Sequence, residues 1–393
     1  MTLDLLALLI AVPVMPACAY LLLLTALSGA LRSPPRSSRR LRFDVIVPAH
    51  DEALVIERTV QSLKRMDWPE ELFRVLVIAD NCNDATATIA RSAGATVLER
   101  RDPDRRGKGF ALAFAFENSE RRGFADALFV VDADTSVSAN ALEACAARIE
   151  QGMLAVQVHD GVLNAAESWR TRLMSIAMTA FHTVRSRGRA RLGLSCGIRG
   201  NGWCVSRQVL ARVPYGAFSL AEDIEYGIAL GRAGIAVAYA EEASSLAEMV
   251  SAEASARKQR ARWEVGRLQL MRSEAVPLLM AAVRGRSAVC LDLALDLLVL
   301  PLSYILAGVL LLAGIGGVAS LIDRSSNAVI WTSAGCFAAL LLHVLRAWHL
   351  SGVGLRGLLD FARIPGFMLW KMILLARVPR PRSWVRTDRT SAH

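Results

Sequence analysis

Apolar runs in this chain come in two lengths, and the two lengths predict two kinds of structure. Residues 3–31 are almost uninterrupted apolar, broken only by Asp4 and two prolines, and comparable stretches cover 297–322 and 328–350. About 20 apolar residues cross a bilayer as a helix, so these three stretches predict transmembrane helices. Shorter apolar runs at 43–48, 74–79, 95–98 and 127–131 alternate with segments of helical spacing, such as 52–66 and 84–93. Such alternation predicts parallel strands in a doubly wound α/β sheet, whose ligand site lies at the carboxyl ends of its strands.

The acidic residues gather at those predicted strand ends. His50-Asp51-Glu52, Asp80-Asn81-Cys82-Asn83-Asp84 and Asp132-Ala133-Asp134 each follow a run. Any one of them reads equally well as turn acids capping the next helix, whereas three converging acidic turns imply a shared ligand. Paired carboxylates at a strand mouth suit a divalent metal that carries a diphosphate. Arg105-Arg106-Gly107-Lys108-Gly109 precedes a helical segment and is either a phosphate contact or a solvated turn. The chain lacks Gly-x-x-x-x-Gly-Lys-Ser/Thr, and no Gly-x-Gly-x-x-Gly follows its first strand. Neither a P-loop NTPase nor a nicotinamide-binding site is favoured.

Composition supports membrane attachment. Of 393 residues 53% are hydrophobic and 21% charged, yet the formal net charge is +10. An apolar but basic chain suits anionic headgroups and phosphate-bearing substrates. Nucleic acid is not an expected partner, because no helix-turn-helix, zinc-finger or aromatic-glycine RNA-binding pattern is present. The seven cysteines include no Cys-x-x-Cys and read as free thiols. The arginine-rich stretch 32–42 follows the first span, so the positive-inside rule puts it in the cytoplasm and the N-terminus outside. Three crossings then leave residues 32 to about 290 inside. Asp292 and Asp296 are expected to face the nearby Arg284 and Arg286 at the interface. Segments 169–187, 257–279 and 355–377 mix arginine or lysine with large apolar residues and are expected to be amphipathic helices on the membrane surface.

Five motifs in order carry a family resemblance: Val47-Pro-Ala-His-Asp-Glu52, Asp80-Asn-Cys-Asn-Asp84, Asp132-Ala-Asp134, Ala221-Glu-Asp-Ile-Glu225 and Gln259-Arg-Ala-Arg-Trp263. Over residues 43–270 the chain resembles membrane-bound family 2 glycosyltransferases with the GT-A fold, close in motif layout to cellulose, hyaluronan and poly-N-acetylglucosamine synthases. The resemblance implies a Rossmann-like nucleotide-diphospho-sugar transferase domain over 32–290. A transmembrane helix at 1–31 would precede it, and two more over 291–350 and an interfacial helix with a basic tail over 351–393 would follow. It also implies that Asp80 reads the nucleotide base, with Glu52 near the nucleoside and Lys108 near the phosphates. Asp132 would face ribose and metal, Asp134 would bind Mg²⁺ or Mn²⁺, and Asp223, with Glu222 beside it, would be the catalytic base. Gln259, Arg262 and Trp263 would contact the diphosphate and the acceptor. Gly200 and Asn201 lie in Cys196–Cys204, the place of an acceptor loop, and a tight structural turn is the equal alternative. Asn81-Cys82-Asn83 departs from the family's Asp-Gly-Ser, and Ala221 stands where the family carries threonine.

These roles agree with the chemistry of sugar transfer. Charge grows on a departing diphosphate, where a metal ion and Arg262 could neutralise it, and an acceptor hydroxyl must lose its proton to a carboxylate such as Asp223. The expected enzyme is therefore an inverting, metal-dependent transferase that uses a nucleotide sugar, UDP-linked by resemblance, at the cytoplasmic face of a bacterial-type inner membrane. Its acceptor would be a growing exported or cell-envelope glycan or a lipid that takes a single sugar, with membrane lipids and export subunits as further partners. A non-catalytic nucleotide-sugar-binding component of an export complex is the alternative from another class.

Overall fold

The computed structural model describes residues 2–249, 253–322 and 327–363, with the side chains of residues 2, 4 and 253–262 outside that description. The strands are β1 (Phe43–Ala49), β2 (Phe73–Asp80), β3 (Thr96–Arg100), β4 (Ala127–Val130), β5 (Thr135–Val137), β6 (Ala155–Val162), β7 (Trp203–Ser206) and β8 (Val237–Ala247). They form one sheet in the order β3-β2-β1-β4-β7-β6-β8-β5. The pairs β1–β2, β2–β3 and β1–β4 are parallel, as the alternation predicts. Beyond β4 the sheet is mixed, because β7 runs antiparallel between β4 and β6.

Strand β1 is buried on both faces and largely apolar, with Asp44 held by Arg74 and Ser119, as suits a mid-sheet strand. Phe43, Val45 and Val47 join a core layer with Ile56, Val60 and Leu63 from α2 (Ile56–Lys64). Helix α3 (Thr86–Ser92) contributes Ala90 to that layer. Ile46 points to the opposite layer, formed with Ala111, Leu112 and Phe116 of α4 (Lys108–Arg122). Helix α5 (Ala141–Glu150) adds Leu142 and Cys145 to the first layer. The period of two along β1 thus supplies both layers of the core.

The helices that follow tie this domain to the apolar segments. These are α6 (Trp169–Met178), a π-helical turn Thr179–Val184, α7 (Arg185–Arg191), α8 (Arg207–Arg212), α9 (Glu222–Arg232), α10 (Glu253–Gly285) and α11 (Ala288–Leu298). Among the described residues three helices are long and apolar enough to cross a membrane: Leu5–Ala26 within α1 (Thr2–Ala26), α12 (Leu302–Ile322) and α13 (Asn327–Ser351). Val14 and Leu21 of α1 pack against Val309 and Leu312 of α12 and Leu340 of α13. A last short helix, α14 (Gly354–Leu359), follows α13.

Two expectations need correction. The apolar stretch 297–322 is divided, because α11 ends at Leu298 and α12 starts at Leu302. Pro301 lies in the break, where a ring without an N–H ends a helix and starts another. Asp292 and Asp296 do not turn to Arg284 or Arg286; they pair with Arg185 and Arg189 from more than 100 residues away. Segment 169–187 packs on a candidate membrane helix, with Ile176, Ala180 and Val184 against Ala347 of α13, and its Arg185 is buried. Of the segment 355–377, residues beyond 363 lie outside the described residues.

Candidate active site

The carboxyl ends of β1, β2 and β4 lie side by side, and hydrogen bonds join the turns after β1 and β2. The Asp51 carboxylate accepts from the Asn83 N–H at 2.7 Å, and Asp84 accepts from the N–H groups of Ala53 and Thr86 at 3.2 and 2.9 Å. Asp51 and Asn81 adopt φ of +54° and +52°. Side chains other than glycine rarely take that backbone, and it persists only where the surroundings hold it. Glu52 sits in the first turn, with its N–H donating to Thr86 Oγ1 at 2.8 Å. Asp80 is buried, and its Oδ1 accepts from Arg100 Nη1 at 2.6 Å and from Asn81 Nδ2 at 3.0 Å. Burial raises the Asp80 pKa, against the pull of Arg100. Nothing in the motif pattern singles out Arg100, which also donates to the Arg105 carbonyl at 2.9 Å and so fixes the loop leading to Lys108.

Lys108, at the start of α4, is the hub of the cleft. Its ammonium is 2.5 Å from Asp132 Oδ1 and 3.8 Å from Glu222 Oε1, and it donates to the Gly200 carbonyl at 2.5 Å. One cation therefore joins the acid at the end of β4, the acid at the start of α9 and the loop before β7. Burial opposes the charge on Lys108, yet Asp132, Glu222 and Asp223 hold its pKa above the usual lysine range. Burial pushes Glu222 up to about 7, with Asp223 and Asp132 adding to the rise and Lys108 opposing it. Asp223 is raised as well, first by burial and against Lys108.

The loop 196–202 supplies the floor. Gly200 has φ of +83°, and a Cβ there would lie 3.2 Å from Asp223 Oδ2, so glycine permits the carboxylate to close on the loop. Asn201 is buried beneath the Asp132 turn: its Oδ1 accepts the Asp132 N–H and its Nδ2 donates to Thr135 Oγ1, both at 3.0 Å. Its amide thus holds the Asp132 turn in place. Gln157 of β6 clamps the same loop, donating to the Asn201 carbonyl at 2.7 Å and accepting the Arg199 N–H at 2.8 Å.

Asp160, also on β6, was not marked by any motif. Burial pushes its carboxyl pKa well up, and Asp132 and Asp134 push the same way, so three acids crowd one corner of the cleft. Lys108 is the cation that opposes this rise, and three carboxylates against one ammonium suit a hard divalent cation such as Mg²⁺ or Mn²⁺. Trp263 is 39% exposed on α10. It lies one turn before Gly266, which packs against Ala221 at the start of α9. The side chains of Gln259 and Arg262 lie outside the described residues.

A twisted mixed sheet with acids at three strand ends and a second acid pair across the cleft defines the GT-A class of nucleotide-sugar transferases. Residues 40–266 match the family described as glycosyltransferase like family 2, and the chain belongs to that family. Over 198 residues it is 26% identical to the probable glycosyltransferase YdaM of Bacillus subtilis, covering 48% of this chain and 46% of that protein. Over 114 residues it is 34% identical to the glycosyltransferase AglD of Haloferax volcanii, covering 28% of this chain and 18% of that protein. The chain thus spans less than half the length of these curated relatives. Among solved structures, the mannosyltransferase PcManGT from Pyrobaculum calidifontis, in complex with GDP-Man and Mn²⁺, superposes with a TM-score of 0.52 at 17% identity. That match covers 86% of this chain and 98% of the other, and it is a likeness of fold. These relatives do not single out the polymer-synthase group within the family.

Proposed function

We propose that the chain is an inverting transferase that moves a sugar from a nucleoside diphosphate to an acceptor at the cytoplasmic membrane face. The observation that carries this reading is the Lys108 bridge, which puts Asp132 and Glu222 on one ammonium and so joins donor-side and base-side acids in one cleft. Asp132 and Asp134 would hold Mg²⁺ or Mn²⁺, with Asp160 behind them. A bound divalent ion supplies charge neutralisation for the leaving diphosphate. Lys108 faces the same phosphates, and the Asp80–Arg100 pair lines the base end of the cleft with Glu52 nearby. Asp223 accepts the proton of the acceptor hydroxyl as that oxygen attacks the anomeric carbon. Burial raises both Glu222 and Asp223, against the pull of Lys108, which suits a carboxylate that must take up a proton. Trp263 would offer a ring face to the acceptor sugar, and Gln259 and Arg262 complete its helix.

A single displacement inverts the anomeric centre. The domain would lie inside the cell, with its product serving an envelope or exported glycan. The second reading is a single addition to a lipid acceptor, and it is supported by there being three candidate spans among the described residues, few for enclosing a glycan channel. The test is a screen of UDP- and GDP-sugars with Mn²⁺, using the full chain in lipid and following the anomeric proton by NMR. A β-linked product from an α-linked donor is expected, and an α-linked product contradicts the single displacement. Product sizing separates a polymer ladder from one addition.

A further inference from the structure

The first turns of α9 carry the catalytic acids on one face and line a second cleft on another. That cleft lies between loop 196–202, α9, α10 and α11, and Gly197, Arg199, Gly227, Arg267, Leu293 and Asp296 line it. Its charge is unbalanced. Arg185, Arg189 and Arg199 meet the Asp296 carboxylate and Arg267 donates to the Asp296 main-chain carbonyl, with Asp292 one turn away, so four guanidinium groups gather around two carboxylates. Arg189 takes the close contacts, 2.9 Å to Asp292 Oδ2 and 2.7 Å to Asp296 Oδ1. Arg199 is left 3.5 Å from Asp296 Oδ2, beyond a good charged hydrogen bond.

The excess charge shows as unused donors. Arg185, Arg189 and Arg199 are more than nine-tenths buried. Among the described residues no acceptor meets Arg185 Nε, Arg189 Nη1, or Nε and Nη2 of Arg199. The guanidinium groups of Arg185, Arg199 and Arg267 instead crowd one ring, Phe181, at 4.9, 4.3 and 5.5 Å. A ring face offsets only part of such repulsion. Buried like charges with unmet donors are what an anion site looks like without its anion.

Position says where the anion comes from. Asp296 lies six residues before the candidate span that starts at Leu302, and Arg189 donates to Tyr20 of the first span at 2.6 Å. The cluster therefore sits where two apolar helices meet the catalytic domain, at the depth of lipid headgroups. It also sits beside the reaction: Ile224 lines the cleft, and Arg199 precedes Gly200, whose Cα faces the Asp223 carboxylate. Planar guanidinium forks match phosphate oxygens.

We propose that this cleft binds the phosphate group of a membrane-borne acceptor lipid and holds it one helical turn from Asp223. The inference rests on the transferase reading above and names its acceptor class. The test uses the full chain in an uncharged detergent, titrated calorimetrically with farnesyl phosphate, farnesol and inorganic phosphate, and separately with UDP and GDP in the presence of Mn²⁺. Farnesyl phosphate should bind at least tenfold more tightly than either farnesol or inorganic phosphate. Arg199→Gln should remove that preference while nucleotide affinity stays within twofold, which shows that the variant is folded; Arg199→Lys, which keeps the charge, should retain part of it. Equal binding of farnesol, equal binding of inorganic phosphate, or an undiminished preference in Arg199→Gln each overturns the proposal. Failure of the wild type to bind any nucleotide counts against the transferase reading, and the phosphate-versus-alcohol comparison is read independently of it.

Discussion

Lys108→Met keeps most of the side-chain volume and deletes the ammonium that links Asp132 to Glu222. At the 3.8 Å that separates Lys108 from Glu222, a unit-charge attraction is about 4 kcal/mol at an effective dielectric constant of about 20. Water reaches 20% of the Lys108 side chain, and halving the attraction for that screening leaves about 2 kcal/mol, or roughly 1.5 pKa units. Glu222 would then move from about 7 to roughly 8.5. A carboxyl whose folded pKa is raised stabilises the fold at low pH and loses that contribution as pH climbs to the folded value. In the wild type the loss ends near pH 7, whereas in the variant it continues to about 8.5, adding about 2 kcal/mol of destabilisation over that window. Lys108 itself stays charged there and adds no slope. Thermal unfolding of the full chain in detergent, with EDTA and without nucleotide, should show the variant losing about 4 °C more than the wild type between pH 7 and 8.5. Adding Glu222→Gln should abolish the extra slope. Parallel curves for wild type and Lys108→Met would refute the bridge.

Two further outcomes follow from the loop before β7. Asn201→Leu leaves the Asp132 N–H and the Thr135 hydroxyl without their partner, at about 1–3 kcal/mol for each buried group, and should weaken Mn²⁺ binding about tenfold by calorimetry; unchanged affinity would show that the amide does not shape the metal-side turn. Gly202→Ala puts a Cβ 2.5 Å from Ser245 Cβ and 2.6 Å from Val158 Cγ2 at φ of +67°, so the melting temperature should fall by several degrees, corresponding to about 3 kcal/mol or more, and a neutral result would mean the strands can part there.

What the sequence made legible was whatever local pattern specifies. β1, β2 and β4 are largely apolar on both faces, so their runs stand out and the acids after them mark strand ends. The second half of the sheet was hidden for physical reasons. β7 has only four residues, and β6 carries Gln157, His159 and Asp160 inside an otherwise apolar run. Gln157 binds the loop before β7, Asp160 faces the Asp132 corner, and His159 meets Thr183 and Tyr239, roles that no periodicity announces; a charged residue within a strand-like run was the available signal. Arg100 was missed because strand pairing, not local pattern, sets it beside Asp80, and the arginine cluster because its partners are distant in sequence: Arg189 and Asp292 are 103 positions apart. Charge next to an apolar span looks like an interfacial flank until tertiary packing turns it inward.

Asp223 tests the central claim most directly, because only a catalytic base should be indispensable for turnover while leaving the donor bound. With the best donor of the nucleotide-sugar screen, Mn²⁺ and membrane lipid, transfer by Asp223→Asn should fall at least about a thousandfold, with nucleotide affinity within twofold of the wild type. Transfer retained within tenfold, with the same donor bound, would contradict Asp223 as the base and with it the account of this cleft.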